Sequence, residues 1–511
     1  MILAPLAAAT VVLWHSYHAA EQQGLETAVQ AWNRAHPDTP VEPQAIPAEG
    51  FSQKLEAAIP RGHGPDLYIA AHEKIGDWTR VGLIAALPRE AAPEADFLPG
   101  TLAPLTLGGQ LYGVPLAFKS AVLFYRTDLV PKPPETTDEM LALCRREKQA
   151  GRYCLVYEDG SFFFHTAWVH GEGGTIVEND RPGQTGEAHL ASPEGVRALA
   201  FVRRLVDAGY VPDEVTGTLV TELFNSGKAA FAINGPWFLG DLQKDVPFAI
   251  APLPVMSETG RRAAPLLTVE AAMMPPRAAH PGPALAFARW LAGPEGARIR
   301  ARVGRQPVAD RATWEDPAIA RDPRLAAFRR QLDATVPTSN APVMNLVWEP
   351  AQQALRRVLR GDASPEGALA EADRRISIIL RPAPPEASPL PFLVALGLGL
   401  LGAAGLAWRR LRRAPADDSA GPIQRQSAAY AYLLPAMLSM LVLVFIPFSV
   451  GVGMAFCHHE NGHWRFIGLG NFTNILGAKD YPLTDPFSFY FTLVVTALWT
   501  VANVSLHVLI G

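Results

Sequence analysis

The chain has 511 residues, enough for about three domains on length alone. Its net charge of -4 lacks the basic surplus that nucleic-acid binding requires, so no nucleic-acid partner is expected. Three cysteines exclude a disulfide-built scaffold, and the 49% hydrophobic share averages a soluble part with a membrane part.

Residues 1–9, MILAPLAAA, form a short apolar run ending in small residues, as at the tail of a secretory signal, but without a basic leading region. Either the true start lies upstream, or the signal is atypical, or the run is the ragged start of the first strand. Thr10–Trp14 reads as a buried strand, because it is β-branched and continuous. Gly24–His36 has helical spacing, Pro40–Ile46 reads as a second strand, and Phe51, Leu55 and Ile59 mark an amphipathic helix. After a turn at Gly62–Pro65, Asp66–Ala71 reads as a third strand. Strands alternating with helices predict an α/β domain with a largely parallel sheet. The pattern continues to a helix over Pro365–Leu380, so the domain covers 10–381. Cys144 and Cys154 both fall within it, and the sequence leaves open whether they pair or stay as buried thiols.

Residues 382–388 are a stiff Pro-rich linker. Residues 389–409 follow, and Leu390–Trp408 within them is uncharged and apolar on every face, at about the 20 residues that a membrane-spanning helix needs. Arg409, Arg410, Arg412 and Arg413 come next, while the flank before the span carries one Arg and one Glu. Basic excess marks the cytoplasmic side, so the first ~385 residues are expected outside it. Residues 410–428 then form a cytoplasmic loop, and 429–511 re-enter the membrane with two further spans, Tyr430–Phe456 and Phe489–Gly511. The loop Arg409–Ala428 holds five Arg, against one Arg and one Lys in Cys457–Ser488, in keeping with that orientation.

Five stretches carry a family likeness: LWHSYHAAEQQGLETAVQAWNRAHP, GHGPDLYIAAHEKIGDWTRVGLIAALP, GQLYGVPLAFKSAVLFYRTDLVPKPPETTDEM, FNSGKAAFAINGPW and GDASPEGALAEADRRI. From Thr10 to Leu380 the chain resembles the extracytoplasmic solute-binding proteins of ABC importers, of the maltose/maltodextrin-binding type. Beyond Gln424, AYLLPAMLSMLVLVFIPFSVGVGMAF and FIGLGNFTNIL resemble the start of the maltose-type permease subunit. The resemblance implies a two-lobed periplasmic-binding-protein fold (type II) followed by transmembrane helices. Lobe one would hold about 10–116 and 271–311, and lobe two about 120–258 and 320–380. A sugar would bind between the lobes and close the hinge. It further implies a permease and a cytoplasmic ATPase as partners, a bacterial inner-membrane location with the binding domain in the periplasm, no cofactor and no metal. The chain would then represent only the first part of a permease.

Sugars present apolar faces ringed by hydroxyls, so a matching site needs aromatic plates and a few polar groups. In the resembled family the Trp of NGPW stacks on sugar, which is Trp237 here, and a second Trp falls at Trp348. Phe162, Phe163 and Phe164 fall on its aromatic segment; three adjacent rings cannot all face one cleft, and Phe163 is selected. Glu73 and Glu270 are candidate hydroxyl acceptors, and Tyr17 and His18, with His15, lie in the first loop. Four positions depart from the family: a Trp becomes Ala70, a carboxylate becomes Lys119, a Glu becomes Ser161 and an Arg becomes Gln352. Lost carboxylates weaken the case for plain maltodextrin. Lys119 would suit an anionic sugar or a glycerol phosphate diester, and WHS at 14–16 resembles that branch.

His459–His463 matches the zinc-protease string H-E-x-x-H, which works only on a helix, and the Asn461–Gly462 turn argues against one. There is no GxxxxGK[ST] phosphate loop and no GxSxG nucleophile motif. No enzymatic activity is expected. The rival classes are a tethered solute sensor, which would carry a signalling domain after its first span, and a surface hydrolase, which would turn its sugar over.

Overall fold

A computed structural model describes residues 9–180, 184–413, 423–460, 463–478 and 480–510. The signal-like segment lies outside these except for Ala9, as do residues 414–422 of the expected cytoplasmic loop. The chain divides into two compact units, residues 1–380 and 381–511.

The first unit is built on two sheets. Its strands are β1 (Val11–His15), β2 (Val41–Ala45), β3 (Leu67–Ala71), β4 (Val114–Lys119), β5 (Val122–Arg126), β6 (Tyr153–Val156), β7 (Ala229–Asn234), β8 (Phe248–Ala251), β9 (Leu266–Met273) and the two-residue β10 (Val336–Pro337). In the first sheet β1 lies between β2 and β3, all parallel, and β9 runs antiparallel to both β3 and β4, with β10 beside its first residues. The second sheet has the order β8-β5-β7-β6, with β5 antiparallel to both its neighbours and β7 parallel to β6. The expectation of a largely parallel sheet is therefore corrected: both sheets are mixed, with parallel pairing among β1, β2 and β3, between β6 and β7 and between β9 and β10, and antiparallel pairing elsewhere. β9 re-enters the first sheet after a long excursion through the second, and local strand–helix alternation carries no information about the direction of that return.

The chain crosses between the sheets at Ser120–Ala121, both buried, and again between Ala251 and Leu266. The first sheet also takes in Leu266–Glu270 and Val336–Pro337, which the lobe boundaries read from sequence leave outside lobe one.

Helix starts are chemically marked. Ser192 and Ser364 each accept a hydrogen bond from the N–H three residues on, Gly195 and Gly367, and each is followed by Pro at the first helical position. These signals open Pro193–Asp207 and Pro365–Ile379. Thr136 caps Thr137–Gln149 in the same way. Cys144 on that helix is disulfide-bonded to Cys154 on β6, both sulfurs buried.

The second unit has three helices long and apolar enough to cross a membrane: Leu390–Arg410, Tyr432–Ala455 and Phe489–Ile510. Within the second, Leu441–Phe445 forms a π turn. Pro447 has no N–H to return to the carbonyl four residues back, which loosens the α ladder there. Cys457–Glu460 and His463–Phe466 pair as an antiparallel hairpin. His459 sits opposite Trp464, and His463 opposite Glu460, so the two histidines take opposite faces. That arrangement excludes the helical zinc-protease geometry, and among the described residues no His/Cys/Asp/Glu group is placed to hold a metal.

Candidate functional site

The second lobe carries an aromatic cluster. β7 ends at Asn234, whose side chain accepts the Gly235 N–H at 2.9 Å, and a short 3-10 helix, Pro236–Gly240, follows. The Trp237 ring lies directly over Gly235: a Cβ there would stand 2.2 Å from the indole, so only glycine admits this packing. Trp237 remains 43% exposed. Its ring centroid is 6.2 Å from that of Phe163, which is half-buried on the first turn of the helix Phe162–Gly171. Phe162 and Phe164 are buried, so of the three adjacent rings only Phe163 reaches the surface beside Trp237. Phe162 in turn meets Trp348 edge-on at 6.2 Å. Trp348 is half-buried on the helix Pro342–Leu359, and Gln352 lies one turn further along.

The first lobe carries a polar cluster. Tyr17 donates to Glu270 Oε2 at 2.9 Å, and Lys119 Nζ lies 2.9 Å from a carboxylate oxygen of Glu270 and 2.9 Å from one of Glu21. Burial works against the Lys119 charge, but Glu270 and Glu21 more than offset it and hold its pKa above the ordinary lysine value. Burial and then Glu270 raise the Tyr17 phenol well above its usual range, so it stays a neutral donor. Burial, with Glu21 beside it, also raises the Glu270 carboxyl. Arg300, fully buried, donates to the carbonyls of Leu116 and Leu291 and to Gln306 Oε1, tying β4 to the helices behind this cluster.

The other residues singled out from sequence stand apart. His18 is exposed at the start of the helix Ala19–Ala35 and makes no capping bond. His15 is buried, with Nδ1 accepting the Tyr17 N–H. Glu73 is partly exposed, with one carboxylate oxygen buried and unbonded. Its neighbour His72 is enclosed: Nδ1 accepts the Val269 N–H, so Nε2 carries the proton and donates to the Thr338 carbonyl, and burial lowers its pKa. Ser161 and Gln352 both line a cavity of about 950 Å³.

Sequence reasoning missed Glu21, Arg300 and Gln306. Glu21 lies 98 residues from Lys119, and nothing in the chain near either one signals the pairing.

The family model of the bacterial extracellular solute-binding protein matches residues 27–327. The chain belongs to that family. This solute-binding protein is 25% identical over 371 residues to the galactooligosaccharide-binding protein of Bacillus subtilis, a match covering 71% of this chain and 87% of the relative. It is 25% identical over 359 residues to the maltotriose-binding protein of Pyrococcus abyssi, covering 68% and 77%. Among solved structures, a cyclo/maltodextrin-binding protein complexed with maltotetraose superposes with a TM-score of 0.66 at 24% identity, covering 73% of this chain and 97% of that one. The maltose-maltodextrin binding protein of Alicyclobacillus acidocaldarius superposes at 0.63 with 26% identity, covering 72% and 100%. The fold is that of a type II periplasmic binding protein, a family and fold of binders rather than enzymes.

Proposed function

We propose that the protein is the membrane-tethered sugar-binding component of an ABC importer, taking a maltodextrin-like oligosaccharide. The observation that carries this is the pair of surface-reaching rings, Trp237 and Phe163, with Trp348 packed alongside. An exposed indole held rigidly over a glycine serves as a plate for the apolar face of a sugar and costs little conformational entropy on binding. The relatives' names, which include maltotriose and maltotetraose, support the same ligand class. Tyr17, Glu270 and Glu73 would supply hydroxyl contacts from the first lobe, Gln352 would supply one from the second, and hinge closure would bring the two walls onto the ligand.

An anionic sugar or glycerol phosphate diester is disfavoured, because the Lys119 charge that suggested it is already shared between two carboxylates. The three apolar helices support a membrane tether. A tether keeps the binding unit at a high effective concentration beside its permease, and a separate ATPase chain would drive transport.

The test is a thermal-shift panel on the full chain, held in a detergent without a sugar headgroup. The panel takes malto-oligosaccharides, galacto-oligosaccharides and glycerophosphodiesters. A ligand that binds only the folded state raises Tm. A shift with malto-oligosaccharides that Trp237→Ala removes is the expected result; a shift confined to the phosphodiesters would overturn it.

A further inference from the structure

In the second unit, the linker ahead of the first membrane helix is tied down along its length. Arg381, its first residue, forms an ion pair with Asp480. The Pro384 ring lies against Gly470: a Cβ on that glycine would stand 2.7 Å from the ring. The Ala387 N–H donates to the Phe466 carbonyl at 2.8 Å. At Gly468 a Cβ would meet the Phe392 ring at 3.0 Å and the Ala387 side chain at 3.3 Å. Phe392, in the first turn of the membrane helix, packs edge-on against Phe466 and Phe456, with ring centroids 5.3 Å and 6.1 Å away.

The receiving surface comes from one stretch, 456–480, at the end of the second span. Buried Ile467 donates its N–H to the Phe456 carbonyl, and the Phe472 ring lies 5.2 Å from that of Phe456. Asn471 donates to the carbonyls of Ala455 and Cys457, which closes the loop back onto the end of the span. Two glycines let the linker approach. A side chain at Gly470 would collide with Pro384, and Gly468 has a φ of 59°, which favours glycine. A Pro-rich spacer needs no partners to hold its length in solvent. Here an ion pair, a ring against a glycine, a backbone hydrogen bond and an aromatic cluster recur at 381, 384, 387 and 392, all on the same loop.

We propose that residues 381–392 are clamped onto the loop 456–480, so that the stem of the binding unit is held by the end of the second span as well as by its own membrane helix. A free linker sets only the effective concentration of the unit it carries, whereas a clamped one also fixes the point from which that unit is presented. The hold is on the segment that resembles a permease, and it persists when the loop 410–428 is cut. This rests on reading the apolar helices as membrane spans and is independent of the ligand.

The test is disulfide cross-linking in the full chain, held in detergent, with Cys457→Ser removing the unpaired thiol and a protease site inserted within 414–422. Pro384→Cys with Gly470→Cys places two Cβ atoms about 1 Å closer than the roughly 3.5–4.5 Å of a disulfide, so a small shift admits the bond. After oxidation with copper phenanthroline and cleavage, the two fragments should migrate as one species without reductant and as two with it. The bond should form at least fivefold faster than for Pro384→Cys paired with Leu476→Cys, an exposed position on the helix that Gly470 opens. Phe392→Ala and Asp480→Asn should each slow it at least threefold. Should Phe392→Ala lower Tm, Asp480→Asn still decides, because it alters only a partly exposed ion pair. A rate no greater than that of the comparison pair, or one unchanged by both variants, would overturn the clamp and leave sugar binding standing. Protease mapping that shows no membrane protection would remove the spans themselves, and it is read separately from the cross-linking rate.

Discussion

Lys119 shows how a single residue changes meaning once its neighbours are known. Alone it is a cation where the resembled family has a carboxylate; in the fold it bridges Glu21 and Glu270. Lys119→Met would leave two partly buried carboxylates facing each other and should destabilise the first unit by about 3 kcal/mol, seen as a lower Tm. An unchanged Tm with altered ligand affinity would return Lys119 to the binding groups. His165 offers a pH test. Burial lowers its pKa to about 3, and neither ring nitrogen has a partner. The folded-state value lies below the unfolded one, so its contribution is complete above about pH 6.5 and is lost as pH falls toward 3. His165→Leu should therefore flatten the fall in Tm between pH 7 and pH 5. Asp159, raised to about 6, has the opposite sign: its contribution is full below about pH 4 and is lost as pH rises through 6. Asp159→Asn should make the acid-side loss steeper.

At the scale of elements, the disulfide and the caps set local stability. Cys144–Cys154 closes a loop of sequence separation 10 between a helix and β6. A link of that length removes about 2–3 kcal/mol of unfolded-state entropy. Cys144→Ser should lower stability by that amount, and reductant should do the same to the native protein, both measurable by thermal unfolding. Ser364→Ala at the start of Pro365–Ile379 should cost about 1 kcal/mol, because it leaves the Gly367 N–H without its acceptor. The start at Pro365 was read from the sequence; the same Ser-Pro-Glu-Gly signal, acting within four residues, opens Pro193–Asp207. The direction of β9 was not legible, since it depends on where the chain goes between β4 and its return.

For the whole molecule, orientation is the property under test. The arginines after Leu390–Trp408 predict the first unit outside the cytoplasm, where a disulfide persists. Protease added to intact spheroplasts should remove residues before Leu390 and spare the loop 410–428 until the membrane is opened. Protection of the amino-terminal unit would reverse the topology.

The amino-acid order alone carried the first three strands, the helices near them, the helix from Pro365 and the candidate membrane segments. A strand, a capped helix or a 20-residue apolar run is specified by residues within a few turns of one another. It also carried Trp237, Trp348 and Phe163 as candidates, through motif phrases that are themselves local. Only the tertiary structure decided which Phe of the triplet reaches the surface, which carboxylates hold Lys119, and that Ser161 and Gln352 share the wall of one cavity. Each of these depends on side chains brought together from distant segments, and the energy of a charge or a ring is set by what surrounds it in space.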